Sequence, residues 1–540
     1  MKFTNIIRLS LAALLFVPCA CTGDFEAKNT NPEEVTDGML DWDNLRVGSA
    51  FSQLAQNVFP IAKQVSGSEE YGSSNYQIIQ DLAGNIFAGY TAATKPDFRS
   101  NNVYDVLATT WHDAMHDHAF ERAMGPWAQL NEQRDNSPEA VALADILKVA
   151  VMHRVTDTYG PIAYLSIGNK GIQQGYDSQQ TVYNTFFDEL DNAIAILTTF
   201  HEQNSSATVL ANYDNIYKGN VGQWIKFANT LRLRLALRVF YADPALSKAQ
   251  ADAALSNPVG LMTAASDIAQ FSKPANMTTW ENPLYAIQYT MNDGDSRMGA
   301  TIEAYMNGYN DPRIGKYFTT NSEGNYRGVR TGIDLSRVNY GLSNLISLVN
   351  CTMNDAVVWM KPAEAWFLRA EYELRWGSKS AAGEYYAEGI RCSFQTENAG
   401  NPDTYIDDAS STPARYVDEL VSSNSAAAPS TITIAWNNSA SDEQMLERII
   451  TQKYLAIFPD GQEAWSEFRR TGYPKVFPVV QNNSGGLINT ARQIRRLNYP
   501  STEYASNNAA VQNAIVTLNN ESSNPTGDNG GTTLWWDKKR

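Results

Sequence analysis

The strongest constraint on the fold is a recurrence. Along several stretches apolar residues return at steps of three and four, and residues that open or close a helix stand at the ends of those stretches. Ser137-Pro138-Glu139 offers an N-cap, a first-turn proline and an acid ahead of Leu143, Ile146, Leu147, Ala150, Val151 and Val155, so that face is core. Asn220 can cap a second helix on which Trp224, Phe227, Ala228, Leu231 and Leu235 share one side, with Arg232, Arg234 and Arg238 elsewhere around it. Ala363, Phe367, Ala370 and Leu374 lead to a break at Gly377, and Ala382, Tyr386, Gly389 and Ile390 follow on another helix. Small residues facing large ones across a short turn, in a unit of about 34 residues, describe a degenerate tetratricopeptide hairpin, although ordinary helix packing produces the same weak self-similarity. A last strong helix starts at Ser441, with Gln444 set for a capping box, runs through Leu446, Ile449, Ile450, Tyr454 and Ile457, and stops at Pro459-Asp460-Gly461.

Between these helices, 255–345 and 395–440 are rich in Asn, Ser, Gly and Pro and keep no period. They read as long loops with short elements, among them a strand-like Thr431-Ile-Thr-Ile-Ala-Trp436. Loops this long usually carry function or face a partner. The fold class expected is mainly α: a tetratricopeptide-repeat-like helical scaffold with long irregular loop-rich insertions. With 540 residues, 43% of them apolar, the chain can bury a large core, and its size favours one intimate two-lobed unit. Asn519–Thr533 is polar, yet Leu534-Trp535-Trp536 should return the end of the chain to pack.

The first residues carry an address. Lys2 and Arg8 precede an apolar run from Leu9 to Val17, too short to span a bilayer, that ends at Pro18-Cys19-Ala20-Cys21 in the manner of a signal peptide. Small Ala20 before Cys21 suits lipoprotein cleavage with acylation of Cys21; Cys19 is a competing site, and secretion without lipid is the alternative. Acylation would anchor the chain firmly, since each buried methylene contributes about 0.8 kcal/mol. The boundaries expected are a signal peptide at 1–20, a polar lipidated tether at 21–38 and a folded body at 39–540, with its loop-rich lobe at about 255–440. No later apolar stretch reaches the roughly 20 residues of a transmembrane helix, which leaves the lipid as the expected membrane attachment.

Charge excludes one class of partner. The formal net charge is −16, cleavage would remove two cations and no acid, and the only basic run is Lys538-Lys539-Arg540, so nucleic acid is not an expected ligand. Beyond the leader only Cys351 and Cys392 remain; there is no disulfide framework, and the two can pair or stay as buried thiols.

Catalytic signatures are weak. His112-Asp-Ala-Met-His116 differs from a zinc-protease helix by Asp in place of the general-base Glu, so with His118 it reads as a solvated His/Asp-rich helix face. Asp293-Gly-Asp295 lacks the twelve-residue calcium series and reads as a turn; a structural calcium is conceivable but unsupported, and no cofactor is expected. Nothing marks a carboxylate pair, a nucleophile with its base, or a phosphate loop. Saccharide binding instead needs flat rings to stack on sugar faces and amides or carboxylates to bond hydroxyls. One region mixes such residues without a helical stripe: Tyr71, Tyr76, Asp97-Phe98, Asn101-Asn102-Val-Tyr104 and Trp111. A second holds Trp280, Tyr285, Tyr289 and Asn292. The ligand-binding residues expected are Tyr71, Tyr76, Asn101, Trp111, Trp280 and Tyr285, with simple packing of loop aromatics as the plainer reading.

Several segments resemble one family, the SusD/RagB-like nutrient-binding outer-membrane lipoproteins, in its second, shorter-motif subgroup. Cys21-Thr-Gly-Asp-Phe-Glu-Ala-Lys-Asn-Thr-Asn-Pro32 resembles the mature start, with Asp24 and Glu26 in the short acidic stretch associated with surface export. His153-Arg-Val-Thr-Asp-Thr-Tyr-Gly-Pro161 resembles the turn after the first repeat helix, and Tyr176-Asp-Ser-Gln179 and Trp224–Arg234 follow at the family's spacing. The most specific match is Thr451–Pro474, with Trp465-Ser-Glu-Phe-Arg-Arg470 inside it, followed by Arg495–Tyr504 and Trp535-Trp536; Pro161-Ile-Ala163 departs from the family's order after Tyr159-Gly160. The resemblance implies a repeat-helix scaffold lying like a lid over a TonB-dependent, SusC-like transporter, and a glycan or other oligomeric nutrient as ligand. It further implies a place on the outer face of the outer membrane and ligand aromatics drawn from the early loops and the mid-chain insertion, and it does not imply catalysis. Read physically, the aromatics and arginines of 465–470 are a packing face beside cations that can pair with Glu463 or Glu467, and Trp224 and Trp366 are structural too. Two rival functions remain: a surface glycan hydrolase, and an adaptor that binds only protein.

Overall fold

The computed structural model describes residues 44–61, 75–98, 101–105, 109–168, 174–275, 280–290, 294–336 and 338–539; Cys21, the tether and Tyr71 lie outside the described residues. By its contacts the chain divides after Arg46, and the fold below is that of the unit beginning at Val47.

Helices pack in pairs. Pro138–Tyr159 (α1) lies on Gln179–Gln203 (α2), Val221–Arg238 (α3) on Pro244–Ser256 (α4), and Ala363–Trp376 (α5) on Lys379–Thr396 (α6). Because α3 also touches α2 and α5, the pairs stack in chain order, as tetratricopeptide hairpins do. Asp442–Ala456 (α7) closes the stack against α5 and α6, and Gly461–Thr471 (α8) follows it. The expected caps are mostly present. The Asn220 side chain accepts from the Gln223 amide at 3.1 Å, and Ser441 and Gln444 form the reciprocal capping box of α7; Ser378, not anticipated, caps α6 through the Ala381 amide. Asp460 then caps α8 through the Glu463 amide, so the Pro-Asp-Gly stop is also a start. Ser137 differs: Pro138 does open α1, but the Ser137 backbone, at φ −143° and ψ 61°, leaves its hydroxyl without a capping bond.

The insertions are held by two antiparallel ribbons. Thr91–Ala93 (β1) pairs with Ser296–Met298 (β3), Thr91 opposite Met298, and Ala269–Phe271 (β2) pairs with Val357–Met360 (β4) through a bulge at Ala269/Gln270. Thr431–Trp436 is not a strand. Ile432 and Ile434 are buried as alternation suggested, but their carbonyls are taken by the Tyr309 and Tyr386 hydroxyls at 3.0 and 2.7 Å, so no partner strand is needed. Leu534, Trp535 and Trp536 do return to the core, where the Trp536 indole N–H donates to Asp157 at 2.8 Å.

The centre of the stack is charged. Arg154, Arg234, Arg238, Lys453 and Arg470 lie buried among Asp460, Glu364, Glu371, Glu463 and Glu467, contributed by α1, α3, α5, α7 and α8. Arg154 grips Asp460 with two bonds of 3.0 and 2.7 Å; Arg470 grips Glu371 at 2.7 and 2.6 Å and reaches Glu467 as well. Burial alone would raise the Glu371 carboxyl, but Arg470 and Arg375 beside it hold it down at about 2. The expected pairing of the 465–470 arginines with Glu467 is therefore present for Arg470. Arg469 instead stacks 3.5 Å from the Trp465 ring centroid and donates to backbone carbonyls. The α3 arginines do lie off its apolar face, and Arg234 and Arg238 point into this network.

Candidate ligand-binding site

The backbone that builds the site is short and tightly tied. The Asn282 side chain accepts from the amides of Leu284 and Tyr285, opening a one-turn helix Pro283–Tyr285, and its amide nitrogen donates to the carbonyls of Asp355 and Ala356 at 3.2 and 3.3 Å. A π-helical turn, Ala286–Thr290, continues it. Four residues apart on these turns, the rings of Tyr285 and Tyr289 come parallel, with centroids 5.0 Å apart and planes 27° from each other. Tyr289 is 41% exposed, and its hydroxyl donates to the Val349 carbonyl at 2.8 Å, which fixes the ring at the surface. Burial of the hydroxyl end pushes the phenol up to about 12, so it stays a neutral donor.

Beside this pair lies a cavity of about 360 Å³. Asn282, Leu284, Val349, Asn350 and Cys351 line one part of it, and Tyr76, Gln270, Lys316, Tyr317 and Lys361 line the rest. Lys361 pairs with Glu397 and sits 4.8 Å from the Tyr317 ring centroid, whereas Lys316 is exposed. A stacked pair of rings, Tyr285 half-buried and Tyr289 exposed, close to a cavity with amides and ammonium groups can stack a ring face and bond hydroxyls.

The expected residues divide. Tyr76 lines the cavity, although it is itself buried, and Tyr285 is half of the stacked pair. Trp280 is only 4% exposed and stacks beneath on Phe271 at 6.2 Å, so it supports the site from the core rather than facing a ligand. Asn101 is 2% exposed and spends its side chain on the Leu82 carbonyl and on His112, which makes it an internal brace. Trp111 is half-buried against the core, and neither it nor Asn101 lines the cavity. Tyr71 and Asn292 lie outside the described residues. Gln270 comes from β2, Lys316 from the short helix Ile314–Tyr317 and Asn350 from a loop, and nothing in their local sequence singled them out.

The histidine cluster is also not the solvated face expected. His112 and His116 are buried, and His118 is partly so; His112 faces Asn101 at 3.2 Å and His118 faces the Asn57 carbonyl at 3.2 Å, so the ring nitrogens diverge. Burial lowers both His112 and His118 to about 4, keeping them neutral. The reason is tertiary: Tyr159 bonds the His112 carbonyl, and the Ser501 amide donates to Asp113 at 2.9 Å, covering that helix. Among the described residues no group of three or more His, Cys, Asp or Glu is placed to hold a metal ion. Cys351 and Cys392 are free thiols, raised by burial to about 12 and 11.

A family profile described as SusD-like, the SusD and RagB outer membrane lipoproteins, matches residues 27–537. The chain belongs to the SusD-like family. Its helical scaffold is shared by solved SusD-like structures. A chitin-binding SusD homologue from Flavobacterium johnsoniae is 36% identical over 91% of this chain and 98% of that one, with a TM-score of 0.82. A SusD homologue from Bacteroides uniformis is 38% identical over 92% and 100%, also at 0.82, and one from Bacteroides vulgatus is 31% identical over 91% and 98%, at 0.83. A search of curated proteins found no match. In this SusD-like chain the family's motif segments serve the architecture. Arg496 donates twice to the Tyr159 carbonyl, just before Gly160 at φ +91°, and Arg495 grips Asp537. Among the described residues no helix is long and apolar enough to cross a membrane.

Proposed function

We propose that this protein binds an oligosaccharide at the Tyr285–Tyr289 pair and passes it, unchanged, to a SusC-like TonB-dependent transporter. It does so from the outer face of the outer membrane, held there by a lipid on Cys21. The observation that carries the binding is a stacked aromatic pair, Tyr285 half-buried and Tyr289 open to solvent, in a protein most of whose other described rings are buried. A sugar's C–H face packs on such rings while its hydroxyls reach the amides of the adjoining cavity. The chitin-binding relative makes chitooligosaccharides the first ligands to try.

Calorimetry with chitooligosaccharides on the mature protein should give saturable binding, with the sugar recovered intact. Tyr289→Ala should weaken that binding by about tenfold or more, the loss of a central stacking contact, with little effect on stability. Binding that survives the substitution unchanged would displace the site, and cleavage of the sugar would displace the function.

A further inference from the structure

A second cleft, away from the tyrosine pair, breaks the chain's overall charge. It has a volume of about 350 Å³, and its walls carry Arg469, Lys475, Arg492, Arg495 and Lys539 against one acid, Glu443. Three of these cations form a fixed floor. Arg495 is buried and bound to Asp537 at 2.7 and 2.6 Å, Lys539 pairs with Glu443 and donates to the Thr471 carbonyl at 2.7 Å, and Arg469 is stacked between Trp465 and Trp536. Lys475 and Arg492 are exposed at the rim, and among the described residues their side chains have no hydrogen-bond or ion-pair partner. Two acids therefore answer five cations in a protein of net charge −16.

Arg469 shows the imbalance most clearly. It is 2% exposed, and its guanidinium donates to the carbonyls of Asp157, Arg495 and Trp465 and to the Ser466 hydroxyl; among the described residues no carboxylate lies within ion-pair distance. Burial lowers it to about 9, Asp157 and Asp537 offsetting only part of that, and burial lowers Lys539 despite Glu443, so the cleft holds cations whose burial its acids only partly offset. An incoming anion would relieve that, and two unpartnered rim cations above a fixed positive floor favour oxygens that share a negative charge.

We propose that this cleft binds an oxyanion group, a carboxylate, sulfate or phosphate, at a site separate from the tyrosine pair. Arg469 and Arg495 supply the fixed positive floor and Lys475 and Arg492 the arms that close on the anion. An acidic ligand would reach this cleft only against the repulsion of the surrounding surface, so the site selects for compact anionic groups over extended polyanions.

The test is calorimetry on the mature protein at constant ionic strength with three probes: inorganic phosphate, digalacturonate and a sulfated disaccharide. Heat of binding is the readout because sulfate-like anions stabilise proteins generally by exclusion, which would mislead a melting assay. Saturable binding of at least one probe is expected, and which probe binds tightest names the group. The double variant Lys475→Ala/Arg492→Ala should weaken it by about tenfold or more, whereas Tyr289→Ala should leave it unchanged. Absence of saturable heat with all three, or binding undiminished in the double variant, overturns the proposal. Because the rim residues are exposed, loss of folding does not confuse the outcome, and the tyrosine site can fail without affecting this one.

Discussion

The centre of the helical stack and the tyrosine edge were built by opposite rules. In the centre, five cations and five carboxylates from five elements are buried and paired, and every arm of Arg470 meets an acceptor. At the edge, two tyrosines stand on a one-turn helix and a π-helical turn, with a ring left open to water. The sequence motifs that mark the family crowd into the first region, while the residues that could meet a ligand lie in the second. The family's motif residues thus mostly assemble the scaffold in this chain, and the candidate ligand surface stands apart from them.

The sharpest way to break that contrast is to unpair the centre. Arg470→Ala takes the bidentate partner from two buried carboxylates, leaving Glu371 to Arg375 and Glu467 to Arg238 and Lys453, and removing one partner of a buried pair costs about 3–5 kcal/mol. Denaturation should show that loss, with ligand affinity unchanged for the protein still folded. A loss below about 1 kcal/mol, the scale of a surface pair, would mean the network is hydrated and the centre no different from the rim.

Helix boundaries were legible because their chemistry is local: Asn220, and Ser441 with Gln444, cap where the sequence placed them, and Gly377 breaks the hairpin. The charged centre was legible only in part. Glu463, Glu467 and Arg470 share one helix and their spacing can be read, but Glu371 and Arg238 arrive from far along the chain. The site fared similarly. Tyr285 and Tyr289 stand out as loop aromatics, yet Trp280, Asn101 and the histidines look alike in sequence and are buried by tertiary contacts that composition does not encode.

A smaller effect tests whether pairing is the rule outside the centre. Glu303, on the helix Ala300–Gly308, is buried, and among the described residues its carboxylate meets the Gly328 amide at 2.7 Å and Arg327 at 3.6 Å; burial pushes it up from the ordinary 4.5 to about 8. Its folded value is the raised one. Its contribution to stability is therefore full below pH 4.5 and is lost as pH rises through about 8. Glu303→Gln keeps an acceptor for Gly328 and cannot ionise, so relative to the parent it should gain on the order of 2–4 kcal/mol between pH 5 and pH 8. Urea unfolding of both proteins at those two pH values measures the difference; a gap that does not widen with pH would show Glu303 ionised and satisfied, like the carboxylates of the centre.

The smallest effect separates the ring from its hydroxyl. Tyr289→Phe keeps the face that stacks on Tyr285 and removes the bond to the Val349 carbonyl, worth about 0.5–1.5 kcal/mol. If the hydroxyl serves only to hold the ring, sugar binding should weaken less than about tenfold, far less than in Tyr289→Ala, because the lost term is ordering of the side chain and not contact area. Equal losses in the two variants would give the hydroxyl a direct bond to the ligand. The edge would then recognise by hydrogen bonding as strictly as the centre pairs its charges, and the contrast between the two regions would lie in exposure alone.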